Sequence, residues 1–168
     1  MDNQKVIQTA KLLAEFEPGF LPYPVFEQIA RLVALPVVEF IPLRYKNNSV
    51  EILLIPRTEK DPYWSGMVHT PGTVIRATDL NSSGNFPAFS RIIGEELNNT
   101  DVGPPHYVGS LLNSSKRGVE QAQLYWVEVL GEPKIGSFYS FDNLPSNLIS
   151  SQDKFIKQAV KNFLEFKL

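Results

Sequence analysis

Between Val37 and Arg57 the chain alternates with a period of two: VVEFIPLRY, a polar NNS, then VEILLIPR. That period, in segments rich in Val and Ile, predicts two extended strands joined by a tight connection. A sheet with an apolar face has to be covered, so these strands constrain everything around them. The covers are legible as helical spacing. Val6, Ile7, Ala10, Leu13 and Ala14 predict a helix over about residues 3–15. Pro24 suits the first turn of a second helix carrying Phe26, Ile29, Ala30 and Val33. A third helix is expected over residues 86–98. A last helix, capped by Ser150 or Ser151, turns Phe155, Ile156, Ala159, Val160 and Phe163 inward. MVH, TVIRAT, HYVGSLLNSS, VEQAQLYWVEVL and GSFYSF supply further extended pieces, and LNSSGN and NNTDVGPP read as loops. Pro42 places the first strand at an edge or at a bulge. Strands, one internal helix, more strands and a closing helix predict an α/β fold. Its central and final helices cover opposite sides of a mixed sheet. The 168 residues suit one such domain, expected over 35–168 behind a helical segment over 1–34 whose packing the sequence leaves open.

Composition narrows the function classes. Lys plus Arg is 16 and Asp plus Glu is 18, a formal net charge of −2. That balance argues against binding a nucleic-acid polymer, though a few groups suffice to hold a small phosphorylated ligand. There is no cysteine, hence no disulfide, thiolate metal site or cysteine nucleophile. MDNQKVIQTAK lacks the apolar stretch of a secretory signal, and no apolar run reaches membrane-spanning length. A cytoplasmic protein without membrane contact is expected. GxxxxGK[ST] and GxGxxG are absent, and His69 and His106 stand in no metal-ligand spacing such as HExxH.

FPAFSRIIGEELNN, residues 86–99, holds the main anomaly. At about 100° per residue, Phe89, Ile92, Ile93 and Leu97 define an apolar arc, and Glu96 falls inside it, about 20° from Phe89. A buried carboxylate needs a cation, a metal or several donors. Glu96 therefore leans to a helix edge, pairs with an arginine such as Arg76 or Arg44, or joins Glu95 on a divalent ion. Mg²⁺ or Mn²⁺ suits such hard oxygen ligands.

On these residues the chain resembles the Nudix hydrolase family. Pro71-Gly72 stands where the family's loop begins, Trp64 lies on its approach, and Arg91, Ile93, Glu95 and Glu96 match the helical part of the family's box. FDNLPSNLI before the closing helix is similar to the end of many such domains, so the resemblance spans roughly residues 35–165. It departs from the pattern at Thr73, at Thr78 in place of the upstream acid, and at Asn98 in place of the box glycine. The stretch from Gly72 to Arg91 is also five residues longer, the extra length falling in LNSSGNF. The largest departure is Ile92, which replaces a metal-binding glutamate one helical turn before Glu96.

The resemblance implies a Nudix-like α/β/α sandwich with an N-terminal helical extension. It implies metal-dependent hydrolysis of a diphosphate linkage in a nucleoside diphosphate derivative, with Mg²⁺ or Mn²⁺ as cofactor. Glu95 and Glu96 would hold the metal, and Arg91 would orient Glu95 or another carboxylate. Glu120 leads Asp79 and Glu128 as the acid that completes the site. Arg57, Arg76 and Gly72 are expected on the substrate's phosphates, and Trp64, with Tyr63, either stacks on a base or packs as a lid. Ile92 supports the alternative, a catalytically impaired domain that binds a ligand or another protein. Self-association into a homodimer completes the expectations.

Overall fold

The computed structural model describes residues 2–79 and 86–167. The expected polar loop LNSSGN, residues 80–85, lies outside the described residues. Helices α1 (Asn3–Leu13) and α2 (Tyr23–Leu32) come first. Asp2 caps α1 by accepting the Gln4 N–H at 3.1 Å, and Pro24 occupies the first turn of α2. Strands β1 (Leu35–Lys46), β2 (Ser49–Pro56), β3 (Val68–His69) and β4 (Gly72–Val74) follow. Asn47 and Asn48, both at positive φ, turn β1 into β2. Helix α3 (Pro87–Arg91) runs into a π-helical turn, Ile92–Glu96. Strands β5 (His106–Ser115), β6 (Gly118–Glu128) and β7 (Ser137–Ser140) precede the closing helix α4 (Asp153–Lys167).

The strands form a mixed sheet in the order β3-β2-β1-β6-β5, with β4 beside β1 and β7 beside β2. β1 and β6 run parallel from Leu35 opposite Glu120 to Leu43 opposite Glu128, and the other pairings are antiparallel. β1 is thus central, so of the two expectations from Pro42, an edge strand or a bulge, the edge strand does not hold. Its other margin is shared: Val37–Glu39 pair with β4 and Leu43–Lys46 with β2. The Phe40 N–H faces that margin, donating to the Pro71 carbonyl at 2.8 Å. By strand alternation the missing N–H of Pro42 faces the same way, into the gap between the β4 and β2 pairings, where no ladder bond is lost.

Each face of the sheet carries its own core. On one, Ile41, Leu43, Leu124 and Trp126 pack under Phe155, Ile156, Ala159 and Phe163 of α4, with Ala30 of α2 at the margin. On the other, Val38, Phe40, Leu53 and Val127 pack under Ala88, Ile92 and Leu97. The result is an α/β/α sandwich. Among the described residues no helix is long and apolar enough to cross a membrane.

The π turn changes the helix wheel. The Leu97 N–H donates to the Ile92 carbonyl at 2.9 Å, five residues back, so Ile92 and Leu97 stack and both are fully buried. Glu96 is displaced from the centre of the apolar arc, and its side chain is 30% exposed. Asn98 and Asn99, at φ 49° and 56°, end the helix in the left-handed region that asparagine tolerates.

Candidate functional site

A cavity of about 760 Å³ lies between the N-terminal segment and the sheet. The loop after β2 supplies Arg57 and Trp64 to its wall, the β5–β6 hairpin Arg117, and the end of the π turn Glu96. Gly72 and Arg76 line it from β4 and the segment beyond.

Local hydrogen bonds fix these positions. Asp61 Oδ1 accepts the N–H groups of Tyr63 and Trp64, each at 2.9 Å, which folds the loop back on itself and seats Trp64 in a buried position. Tyr63 Oη donates to Glu27 Oε1 at 2.5 Å and ties α2 to that loop. The hairpin backbone presses on the end of α2 as well. A Cβ at Gly118, whose φ is +138°, would stand 2.4 Å from the Ala30 carbonyl oxygen. The guanidinium carbons of Arg57 and Arg117 lie 5.6 and 5.0 Å from the Trp64 ring centroid, so both cations rest against one indole.

The two arginines are partnered differently. Arg117 Nη2 donates to Glu120 Oε1 at 2.6 Å, and Asn113 Nδ2 donates to the other oxygen of Glu120 at 3.2 Å. Among the described residues Arg57 has Asp61 Oδ2 at 3.7 Å from its Nε, an ion-pair distance, and no side-chain hydrogen bond; its buried Nε is without a partner, as is that of Arg117, but Arg117 is held through Nη2. Burial pulls the Arg57 pKa below its ordinary value against the opposing pull of Glu96, yet a guanidinium stays charged at any ordinary pH.

Two buried groups lie beside this wall. Glu39, on β1, is 8% exposed, and burial first and the Glu120 charge second push its pKa up to about 8. Arg117, Arg57 and the Thr70 hydroxyl, which donates to Glu39 Oε2 at 3.4 Å, oppose that shift. Glu39 is therefore mostly a neutral acid at pH 7. Gly72 makes room for it, because a Cβ there would stand 2.6 Å from the Glu39 carboxyl. His69 is buried too, and burial first and Arg57 second lower its pKa to about 3. Its Nδ1 lies 2.7 Å from the Thr70 carbonyl oxygen, which can only accept, so Nδ1 carries the proton. The neutral ring makes no ion pair with Glu96, although its Nε2 lies 3.9 Å from Glu96 Oε2. Burial raises the Glu96 pKa, against Arg57.

Of the residues expected at a site, Arg57, Trp64, Gly72, Arg76 and Glu96 meet at this cavity. Glu120 stands behind Arg117, buried and fully engaged. Glu95 is exposed and outside the cavity. Arg91 does not hold Glu95. It forms a two-pronged ion pair with buried Asp79, Nη2 donating to Oδ2 at 2.9 Å, and Nη2 also donates to the Val74 carbonyl at 3.0 Å. Arg44 pairs with Glu51 and Arg76 lies by Phe20, so neither meets Glu96. Arg117, Glu39 and the N-terminal wall of the cavity were not singled out from sequence. Arg117 carried no signal, since a charge in a hairpin turn is ordinary.

The Arg91–Asp79 pair is a brace between α3 and the segment after β4. Asp79→Ala is expected to cost about 3 kcal/mol, because it strands a part-buried guanidinium. Arg91 first holds the Asp79 carboxyl below its ordinary range of 3.8. Its stabilisation is therefore complete above that pH and is lost as pH falls below it. Urea unfolding at pH 7 measures the cost, and a loss under about 0.5 kcal/mol would show that the brace carries no weight.

The donor set does not fit Mg²⁺ or Mn²⁺. Such an ion needs several oxygen ligands converging on one point. Ile92 is fully buried in the core, Glu95 is outside the cavity, and Glu120 is committed to Arg117 and Asn113. Among the described residues no three His, Asp or Glu side chains are placed to hold a metal ion.

No protein-family model and no curated protein matches the chain in sequence. Solved structures do match in shape. The NUDIX domain of Shewanella oneidensis NrtR, determined in complex with ADP ribose, superposes with a TM-score of 0.57 at 14% identity, covering 92% of this chain and 97% of that one. A MutT NUDIX hydrolase from Burkholderia pseudomallei gives 0.56 at 19% identity, over 75% of this chain and 98% of that one. The Ap4A hydrolase of C. elegans gives 0.56 at 12%, over 79% and 99%. The chain has a divergent Nudix-like fold.

Proposed function

We propose that the chain is a catalytically impaired Nudix-fold domain that binds a small phosphorylated ligand, with Arg57 as the principal phosphate contact and Arg117 and Arg76 assisting. The observation that carries this reading is the pairing of a core isoleucine with a waiting cation. Ile92 takes the place of a metal-binding carboxylate, while the buried Nε of Arg57 at the cavity wall lacks a hydrogen-bond partner among the described residues. A planar guanidinium in that state matches two oxygens of a phosphate. A similar fold that holds ADP ribose in a relative supports the ligand class. In this reading residues 1–34 are a helical segment that walls the cavity, and residues 35–168 are the Nudix-like domain.

The test is calorimetry and ³¹P NMR on the full chain with AMP, inorganic diphosphate and ADP ribose, with and without Mg²⁺ or Mn²⁺. Saturable binding of at least one of them is expected without metal, weakened about tenfold or more in Arg57→Gln, the loss of one charge-assisted contact. No cleavage is expected. Sustained cleavage that requires metal and is silenced by Glu96→Gln would replace this reading with hydrolysis.

A further inference from the structure

The cavity is far larger than a phosphate group needs, and most of it is apolar. The segment from Leu13 to Val33 lines one side with Phe16, Phe20, Leu21, Phe26 and Ile29, and Val74 of β4 adds to that surface. Several of these groups are left in the open: Phe20 is 77% exposed, Leu13 43% and Val33 55%. Apolar surface gathered at one cavity and continuous with a cation marks a binding surface more often than a solvated one. Its polar side chains are mainly charged. Among the described residues no Asn, Gln, Ser or His lines the cavity, and its uncharged hydrogen-bonding side chains are Tyr23, Tyr63, Trp64 and Thr73. Tyr63 is already spent on Glu27. Along the wall formed by Phe16, Phe20, Leu21, Phe26, Ile29 and Val74, the edge of a nucleobase and the hydroxyls of a ribose would leave their hydrogen bonds unmet, at a cost in affinity. A hydrocarbon chain has none to meet.

We propose that the ligand is a phosphorylated amphiphile, its phosphate on Arg57 beside Trp64 and Arg117 and its hydrocarbon tail along Phe16, Phe20 and Phe26. The proposal rests on the phosphate-binding reading of Arg57 and adds the chemistry of the other half of the ligand. Each methylene buried against that wall contributes about fourfold in affinity.

Titrate the full chain with n-decyl phosphate below its aggregation concentration, and with inorganic phosphate, AMP and 1-decanol, following tryptophan fluorescence and heat. Decyl phosphate is expected to bind at least about tenfold more tightly than AMP or inorganic phosphate, since only a few of its methylenes need be buried to reach that ratio, and at least about tenfold more tightly than decanol, which lacks the phosphate for Arg57. Arg57→Gln is expected to weaken decyl phosphate about tenfold. Phe20→Ser, at an exposed position that folding does not need, is expected to narrow the gap between decyl phosphate and AMP. AMP bound as tightly as decyl phosphate, with both weakened by Arg57→Gln, would overturn the tail assignment and leave the phosphate reading standing. Decyl phosphate bound equally by the wild type and Arg57→Gln, with no AMP binding, would overturn both. A stable dimer in light scattering that buries Phe20, with no tail-dependent binding, would assign the apolar surface to a second copy of the chain and overturn the proposal.

Discussion

Ile92→Glu is expected to cost the domain about 4 kcal/mol or more and to create no metal site. The substitution restores the carboxylate that a Nudix box carries one turn before Glu96, so sequence alone presents it as a repair. The structure makes it an injury. Ile92 is fully buried with Val38, Phe40, Leu53 and Leu97, on the face of the sheet that α3 covers. A carboxylate there is either charged without a partner or forced to stay protonated, and keeping it protonated costs about 1.4 kcal/mol for each pH unit above its ordinary pKa, hence about 4 kcal/mol at neutral pH before the lost packing is counted. Most domains hold only about 5–15 kcal/mol in total. The π turn adds a second obstacle. It stacks residue 92 on residue 97, not on 96, so the two carboxylates do not share a face. Urea unfolding and a Mn²⁺ titration of the same sample separate the two effects. A variant that unfolds at the wild-type midpoint and binds Mn²⁺ more tightly would show that position 92 reaches the cavity.

Ile92 marks where sequence reading reaches its limit. The element order was legible because each element announces itself locally: period two for β1, β2, β5 and β6, helical spacing for α2 and α4, prolines and asparagines at the breaks. The partner of each strand was not, since the split margin of β1 depends on Pro71, Gly72 and Ile52 meeting it from distant positions. The helix wheel placed Glu96 in the core because it assumed an α-helix throughout, and a π turn leaves no signature in composition. A second anomaly stood in the same sequence. In VVEFIPLRY the alternation puts Glu39 on one face with Val37 and Ile41, both core residues. The test that singled out Glu96 on a helix, applied to a strand, would have found the more deeply buried acid.

Glu39→Gln is expected to reshape the dependence of stability on pH. The folded pKa of Glu39 is about 8 against an ordinary 4.5, so between those values the native state holds a proton that the unfolded chain has released. Stability from this group is complete below pH 4.5 and is lost as pH rises through 8. His69 works in the opposite direction. Its folded pKa is about 3 against 6.5, so it favours the native state above pH 6.5 and withdraws that stability as pH falls toward 3. Between 4.5 and 6.5 the two slopes oppose each other and the wild type is nearly flat. Above 6.5 only the Glu39 slope remains of the two, about 1.4 kcal/mol per pH unit, so stability falls by roughly 2 kcal/mol by pH 8. The charged and polar groups around Glu39 are Glu120, Arg117, Arg57 and the Thr70 hydroxyl, and an uncharged amide of the same shape can still accept the bond from Thr70. Glu39→Gln therefore removes the alkaline fall. It is expected to exceed the wild type by about 2 kcal/mol or more at pH 9 and to keep the acid limb that His69 sets. The measurement is a series of urea transitions from pH 4 to 9 on both proteins. Parallel curves across that range would mean that Glu39 is ionised in the native state at neutral pH, and that Arg57 and Arg117 hold it charged beside Glu120.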